Sequence, residues 1–284
     1  MGLTVNTNTG AMAALQSLTM TNKALGTTSS RITSGFNVAS TKDNSAAFTT
    51  AQSLRSDLGG LQSVTSSLSR AKSVTDVAVA GAEQISDLVN QMKAKAYQAA
   101  DVGVDQASRD GINKDFTALR DQITTIVNAS DFNGTNLLKT SGGAVSALIS
   151  LQDGNTGTAG WQPDSLSVAN QGLDLGGSVI TVAASGNIST AAAATTMIDT
   201  LTATQTNLAT SLSNLGSASR RIDAQSTFTS KLSDSIESGI GNLVDADLAK
   251  ESAKLQALQV KQQLGVQALS IANQAPQTII SLFR

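Results

Sequence analysis

The forty residues from Asp245 to Arg284 constrain this chain most. Leu248, Leu255, Leu258, Leu264, Leu269, Ile271, Ile279, Ile280, Leu282 and Phe283 recur there at helical spacing, and no acidic residue follows Glu251. As a helix the segment would reach about 60 Å. Each exposed Leu or Ile on it would forgo about 1.5–3 kcal/mol of burial. A helix so long and so poor in charge needs a partner.

The other end of the chain is the natural partner. From Thr4 to about Ile32, Ala11, Leu15, Leu18, Asn22, Leu25, Ser29 and Ile32 repeat with the alternating spacing of a coiled-coil seam. No acid precedes Asp43, so both ends are acid-poor and weakly basic. The bland reading is two core helices of a bundle. The sharper one is that the ends pair and other subunits bury the pair.

Between the ends, Ser34-Gly35-Phe36 reads as a helix break followed by a connector to Asn44, with Asp43 as N-cap of the next helix. That helix spans Ser45 to about Ala100. Another spans Asp105 to Ala129, with Ile112, Phe116, Leu119, Ile123 and Ile126 as its seam. A turn-rich stretch follows to about Thr190, where Ala144–Leu151 and Ser178–Ala184 carry strand patterns and Asp153-Gly154-Asn155 and Gly176-Gly177 mark turns. Helix resumes near Ala191 on one heptad frame through Ile198, Leu201, Leu208, Leu212, Leu215, Ile222 and Ile236. Ser238-Gly239-Ile240-Gly241 predicts a second break, and Asp245 a cap for the last helix.

The expected fold is mainly α, with two stacked coiled-coil or helical-bundle layers and a small β-hairpin region in the middle of the chain. Residues 1–33 and 246–284 form one layer; 34–44 and 237–245 are connectors. Residues 45–130 and 190–236 form the second layer, and 131–189 a short β and loop region.

Composition narrows the function. The chain has neither histidine nor cysteine, which removes His- or thiolate-based metal sites, Ser-His and Cys-His nucleophile pairs and disulfides. Aromatic residues are 3% and small residues dominate, as close helix packing favours. A net charge of -2 argues against a nucleic-acid partner. No apolar run is long enough for a membrane span, and Met1 to Thr9 shows no signal-peptide pattern. No catalytic constellation, metal set or cofactor motif stands out, so an enzyme is not expected.

Five motifs in order resemble those of bacterial flagellin. They are Arg31-Ile32-Thr33-Ser34-Gly35, Thr41-Lys42-Asp43-Asn44, Asp131-Phe132-Asn133-Gly134-Thr135-Asn136-Leu137-Leu138, Asp245-Ala246-Asp247-Leu248-Ala249, and Ala272-Asn273-Gln274-Ala275-Pro276-Gln277 through Ser281-Leu282-Phe283-Arg284. The resemblance implies a subunit of the extracellular flagellar filament serving motility. Its end helices would form an inner tube, its middle helices an outer tube, and its β region would face outward. It also implies export unfolded by the flagellar type III apparatus. The implied partners are copies of itself, sibling flagellins, an export chaperone, the filament cap and the hook–filament junction proteins. The alternatives are a hook–filament junction protein and a non-flagellar secreted coiled-coil adhesin.

On this reading Leu15, Leu18, Leu25, Ile32, Leu248, Leu255, Leu258, Leu269, Ile280 and Phe283 carry terminal-helix pairing. Gly35, Asp43, Gly239, Gly241 and Asp245 belong to the hinge. The segment that the innate receptor for flagellin recognises in the family reads differently here at Gln91, Lys93, Ala94 and Lys95, which predicts weak receptor activation. Thr156, Thr158, Ser165, Ser167, Ser178 and Thr181 are candidates for the O-glycosylation that some flagellins carry.

Overall fold

The computed structural model describes residues 7–153 and 163–282, without the side chains of residues 152, 153, 163 and 275–282. Among the described residues, five helices and one two-stranded sheet follow one another: α1 (Thr9–Ser34), α2 (Ser45–Ala100), α3 (Gln106–Ala129), β1 (Val145–Asp153), β2 (Pro163–Val168), α4 (Ala191–Val244) and α5 (Leu248–Leu282). The chain divides into two compact units, one of Met1–Ser56 with Ser235–Arg284, the other of residues 57–234. The boundaries fall inside α2 and α4.

In the larger unit the core is a continuous helical seam. On α2, Leu61, Val64, Leu68, Ala71, Thr75, Ala78, Ala82, Ile85, Val89, Met92, Ala96 and Ala99 are all buried, alternating by three and four as a coiled-coil repeat requires. Phe116, Ile123 and Val127 of α3 join this core, as do Leu201, Leu208, Leu215 and Ile222 of α4. The α2–α3 turn closes on Arg109. Its Nε donates to the Ala99 carbonyl at 2.9 Å, and its Nη2 to those of Asp101 and Val104, both at 3.0 Å. A guanidinium at a helix C-terminus satisfies free carbonyls and complements the helix dipole.

After α3 the chain turns tightly at Phe132-Asn133-Gly134-Thr135. Asn133 (φ 53°) and Gly134 (φ 80°) both take positive φ, as a type I′ turn demands, and Phe132 and Thr135 bridge back to back. Asn136 then locks the loop: its Nδ2 donates to Val127 O at 2.6 Å, and its Oδ1 accepts from the amides of Leu138 and Lys139 at 2.9 and 3.0 Å. Gly142 packs so closely that a Cβ there would lie 1.9 Å from the Asn136 carbonyl oxygen.

The sheet differs from the expected one. β1 pairs antiparallel with β2, Val145 opposite Val168 and Ala147 opposite Leu166. Leu166 and Val168 are buried while Ser165 and Ser167 are exposed, a strand alternation that the sequence itself carries over residues 165–168. Ser178–Ala184 is not a strand. Ile180 and Val182 are buried as a strand's would be, but the backbone is satisfied otherwise: Thr181 N donates to Thr204 Oγ1 at 3.2 Å, and Asn207 Nδ2 to Ser178 O at 3.1 Å. Side chains of α4 take the place of a neighbouring strand.

The second break is displaced toward the C-terminus. α4 continues through Gly239 and Gly241 to Val244, and only Asp245 to Asp247 separate it from α5. Ile240 and Val244 are buried with Val38 and Ala51 in the core of the smaller unit, together with Phe48 and Leu54. That burial exceeds the roughly 1 kcal/mol that each glycine costs in a helix.

Candidate functional site

The smaller unit is built on an antiparallel pair of α1 and α5. Four cross-links fix its register. Asn8 Nδ2 donates to Ala272 O at 2.7 Å, Gln262 Nε2 donates to Asn22 Oδ1 at 2.8 Å, and Leu18 lies over Gly265, where a Cβ would meet its Cδ1 at 3.2 Å. At the other end, Arg31 Nη1 lies 3.3 Å from Glu251 Oε1. Asn8 also caps α1, its Oδ1 accepting from Ala11 N at 3.0 Å, which sets the start of the helix at Thr9.

The seam follows from burial. On α5 the shielded positions are Glu251, Leu255, Leu258, Gln262, Gly265, Leu269 and Ala272. On α1 they include Ala11, Ala14, Leu18, Thr21, Leu25, Thr28 and Ile32. Leu18, Leu25, Ile32, Leu255, Leu258 and Leu269 therefore lie in it. Leu15 and Leu248 do not: they are exposed. The expected frame of Leu15, Asn22 and Ser29 is displaced by one residue to Ala14, Thr21 and Thr28. Small residues on α1 leave room for the leucines of α5, and volume complementarity outweighs the bulk of Leu15. The Ile280 side chain and Phe283 lie outside the described residues.

What the pair leaves outside is apolar. On α5, Val260, Leu264 and Ile271 share one face, opposite the seam, and Ile271 is 69% exposed. On α1, Met12, Leu15 and Met20 project outward, 65%, 55% and 61% exposed. Acidic groups are absent from both stripes. Large apolar side chains this exposed along both helices mark an interaction surface.

Glu251 is the one carboxylate of the seam. Burial pushes its carboxyl up, but the charges of Lys254 (3.6 Å away) and Arg31 more than reverse this, so it is held below its ordinary value of 4.5. The pair thus carries a compensated charge at one end and apolar packing along the rest.

The link beside the pair is equally defined. Gly35 ends α1 in the left-handed conformation (φ 76°), its amide donating to Arg31 O at 2.9 Å. Phe36 bridges to Asp245; Asn37 N donates to Val244 O at 2.8 Å, and Ala246 N to Gly35 O at 2.9 Å. The caps sit one or two residues from where the sequence placed them. Asp43 folds the turn before α2, its Oδ2 accepting from the Ser40 hydroxyl and the amides of Ser40 and Ala39, which together hold its carboxyl low; Asn44 caps α2, accepting from Ala47 N at 3.1 Å. Likewise Asp247, not Asp245, caps α5, accepting from Ala249 N and Lys250 N at 3.0 and 3.1 Å. Gly239 and Gly241 belong to α4 and form no hinge break.

In the larger unit, Lys93 donates to Gln205 at 2.8 Å and Lys95 to Asp115 at 2.6 Å, while Gln91 and Ala94 are exposed beside a shallow groove against α3. Ser165, Ser167 and Ser178 are exposed. The Thr181 hydroxyl is engaged with Thr200 O and Thr204 Oγ1. Thr156 and Thr158 lie outside the described residues. Among the described residues no group of three or more acidic side chains could hold a metal ion, and no helix is long and apolar enough to cross a membrane.

Comparison with known proteins agrees with this arrangement. The model of the bacterial flagellin N-terminal helical region matches residues 5–142, and that of the C-terminal helical region residues 196–283. Flagellin FljM of Caulobacter vibrioides is 44% identical over 99% of this chain and 98% of its own length; FljK of the same bacterium is 43% identical, with the same coverage. A Vibrio parahaemolyticus protein described as flagellar hook-associated has the same fold: TM-score 0.56, 13% identity, 72% of this chain and 100% of that one covered. With both family regions present and near-complete relatives above 40% identity, this chain belongs to the bacterial flagellins.

Proposed function

We infer that the chain works as a structural subunit that self-assembles into the extracellular filament of the bacterial flagellum and so serves swimming motility. The observation that carries this reading is the apolar face that α1 and α5 leave outside their own seam. A surface of that kind on both helices is matched by further copies of itself. Family membership supports an open helical polymer as the form of the assembly and a structural role for the chain.

Finer parts of the reading extend from the same basis. Residues 1–33 with 246–284 would form the inner tube, 45–130 with 190–236 the outer tube, and 131–189 the outward surface. The chain would leave the cell unfolded through the flagellar type III apparatus, helped by an export chaperone, and dock beneath a filament cap beyond the hook–filament junction proteins. The similarity to two flagellins of one bacterium supports sibling flagellins as co-assembly partners.

The test is seeded growth. Purified chain is added to short filament seeds and followed by light scattering and electron microscopy, beside a chain lacking Asp245 to Arg284. The reading expects long helical filaments from the intact chain and none from the shortened one. A small closed oligomer from the intact chain would overturn it.

A further inference from the structure

The methionines divide sharply by environment. Met92 is completely buried in the core of the larger unit, and Met197 is partly buried against that same core, its Cε crowded toward Gly186. Met12 and Met20 are the opposite: 65% and 61% exposed, eight positions apart on α1 and outside the α1–α5 seam. Their neighbours toward solvent, Gln16, Thr19 and Lys23, are polar and offer a thioether no shelter.

We propose that Met12 and Met20 form an oxidation-sensitive site that decides whether a free subunit can assemble. A peroxide is the oxidant. The thioether sulfur attacks the peroxide oxygen, the O–O bond breaks, a new S=O bond forms, and with hydrogen peroxide the reduced product is water. In the free chain the sulfoxide costs little, because both side chains already face solvent and lie outside the seam. Once another subunit covers α1, the same group is a strong acceptor buried without a donor, which disfavours docking about tenfold or more. The site therefore acts on assembly and not on folding, and covering by neighbours closes it to oxidant. This inference rests on the filament reading, since it needs a neighbour that covers α1.

The experiment uses the full chain. Monomer is treated with dilute hydrogen peroxide until about half of Met12 and Met20 carry one extra oxygen, then freed of oxidant and grown on seeds. Site-resolved mass spectrometry compares pelleted filament with the remaining supernatant. The expected result is a filament depleted about tenfold in sulfoxide at positions 12 and 20, with circular dichroism of the oxidised monomer unchanged and incorporation restored by methionine sulfoxide reductase. Preformed filaments given the same peroxide should keep both thioethers. Equal incorporation of oxidised and unoxidised chains overturns the proposal, as does oxidation of Met12 and Met20 in filaments at the monomer rate. The Met12→Leu, Met20→Leu chain should elongate equally before and after treatment; the wild-type mass comparison decides the matter even if that variant assembles poorly. Failure of untreated chain to elongate would count against the filament reading instead.

Discussion

Asn136→Ala should be among the most damaging single substitutions in the larger unit. The side chain is 5% exposed and makes three hydrogen bonds, to Val127 O, Leu138 N and Lys139 N. Alanine leaves the first two of these backbone groups buried without a partner, at about 1.5–2 kcal/mol each, while Lys139 N is near enough to solvent to recover one. The sum is about 3–4 kcal/mol. For a unit of this size each kcal/mol moves the midpoint by about 2–4 °C, so thermal unfolding at 222 nm should shift down by about 10 °C. Asn136→Asp separates the contributions: it keeps the acceptor for both amides but sets a carboxylate oxygen against the Val127 carbonyl, so it should lose as much at neutral pH. A midpoint within 2 °C of wild type for Asn136→Ala would refute the view that this amide locks the loop after α3.

Four further outcomes rest on the geometry of the two units. Gly142→Ala must push a Cβ away from the Asn136 carbonyl oxygen, which would be 1.9 Å distant, and should cost about 2 kcal/mol; combined with Asn136→Ala the loss should fall short of the sum in urea unfolding, because both act on one loop. Arg31→Ala and Glu251→Ala, measured by amide exchange along α5, should show a coupling of about 1–2 kcal/mol, since the side chains are 27% and 10% exposed. Because Glu251 is held below 4.5 in the folded chain, its stabilising share is present at neutral pH and is lost as pH falls through that lowered value; Glu251→Gln should flatten the acid limb. Leu264→Asp should leave monomer circular dichroism unchanged and stop seeded growth.

The long elements were legible because their period is regular. The buried α2 positions repeat without interruption from Leu61 to Ala99, and that period outweighs the low helix propensity of Gly81 and the β-branched residues among them. The failures have specific causes. Gly239 and Gly241 read as a break because their local cost is visible in sequence, whereas the burial of Ile240 and Val244 against Val38 and Ala51 depends on residues two hundred positions away. Leu15 reads as a seam residue because bulk signals a core, yet here bulk on α5 selects small partners on α1. The Asp43 and Asp245 assignments slipped to Asn44 and Asp247 because several Asx residues adjoin each helix start, and only backbone geometry decides which one caps. Ser178–Ala184 has the alternation of a strand, but α4 side chains satisfy its backbone.

The distribution of polarity in the end helices points beyond the single chain. A helix pair meant to stand alone in water puts its leucines inside and its charges outside. Here the seam holds Thr21, Thr28, Glu251 and Gln262, while Met12, Met20, Val260, Leu264 and Ile271 face outward. The polar seam residues limit how much the pair gains from closing on itself. The outward ones reward a second burial step that the monomer cannot take. Because the α1 stripe and the α5 stripe are different surfaces, contact of one with the other is heterologous, and a heterologous contact that does not close on itself grows without limit. On this argument the apolar faces left outside the paired ends favour polymerisation, and a charge placed at Leu264 should stop growth while leaving the fold of the subunit intact.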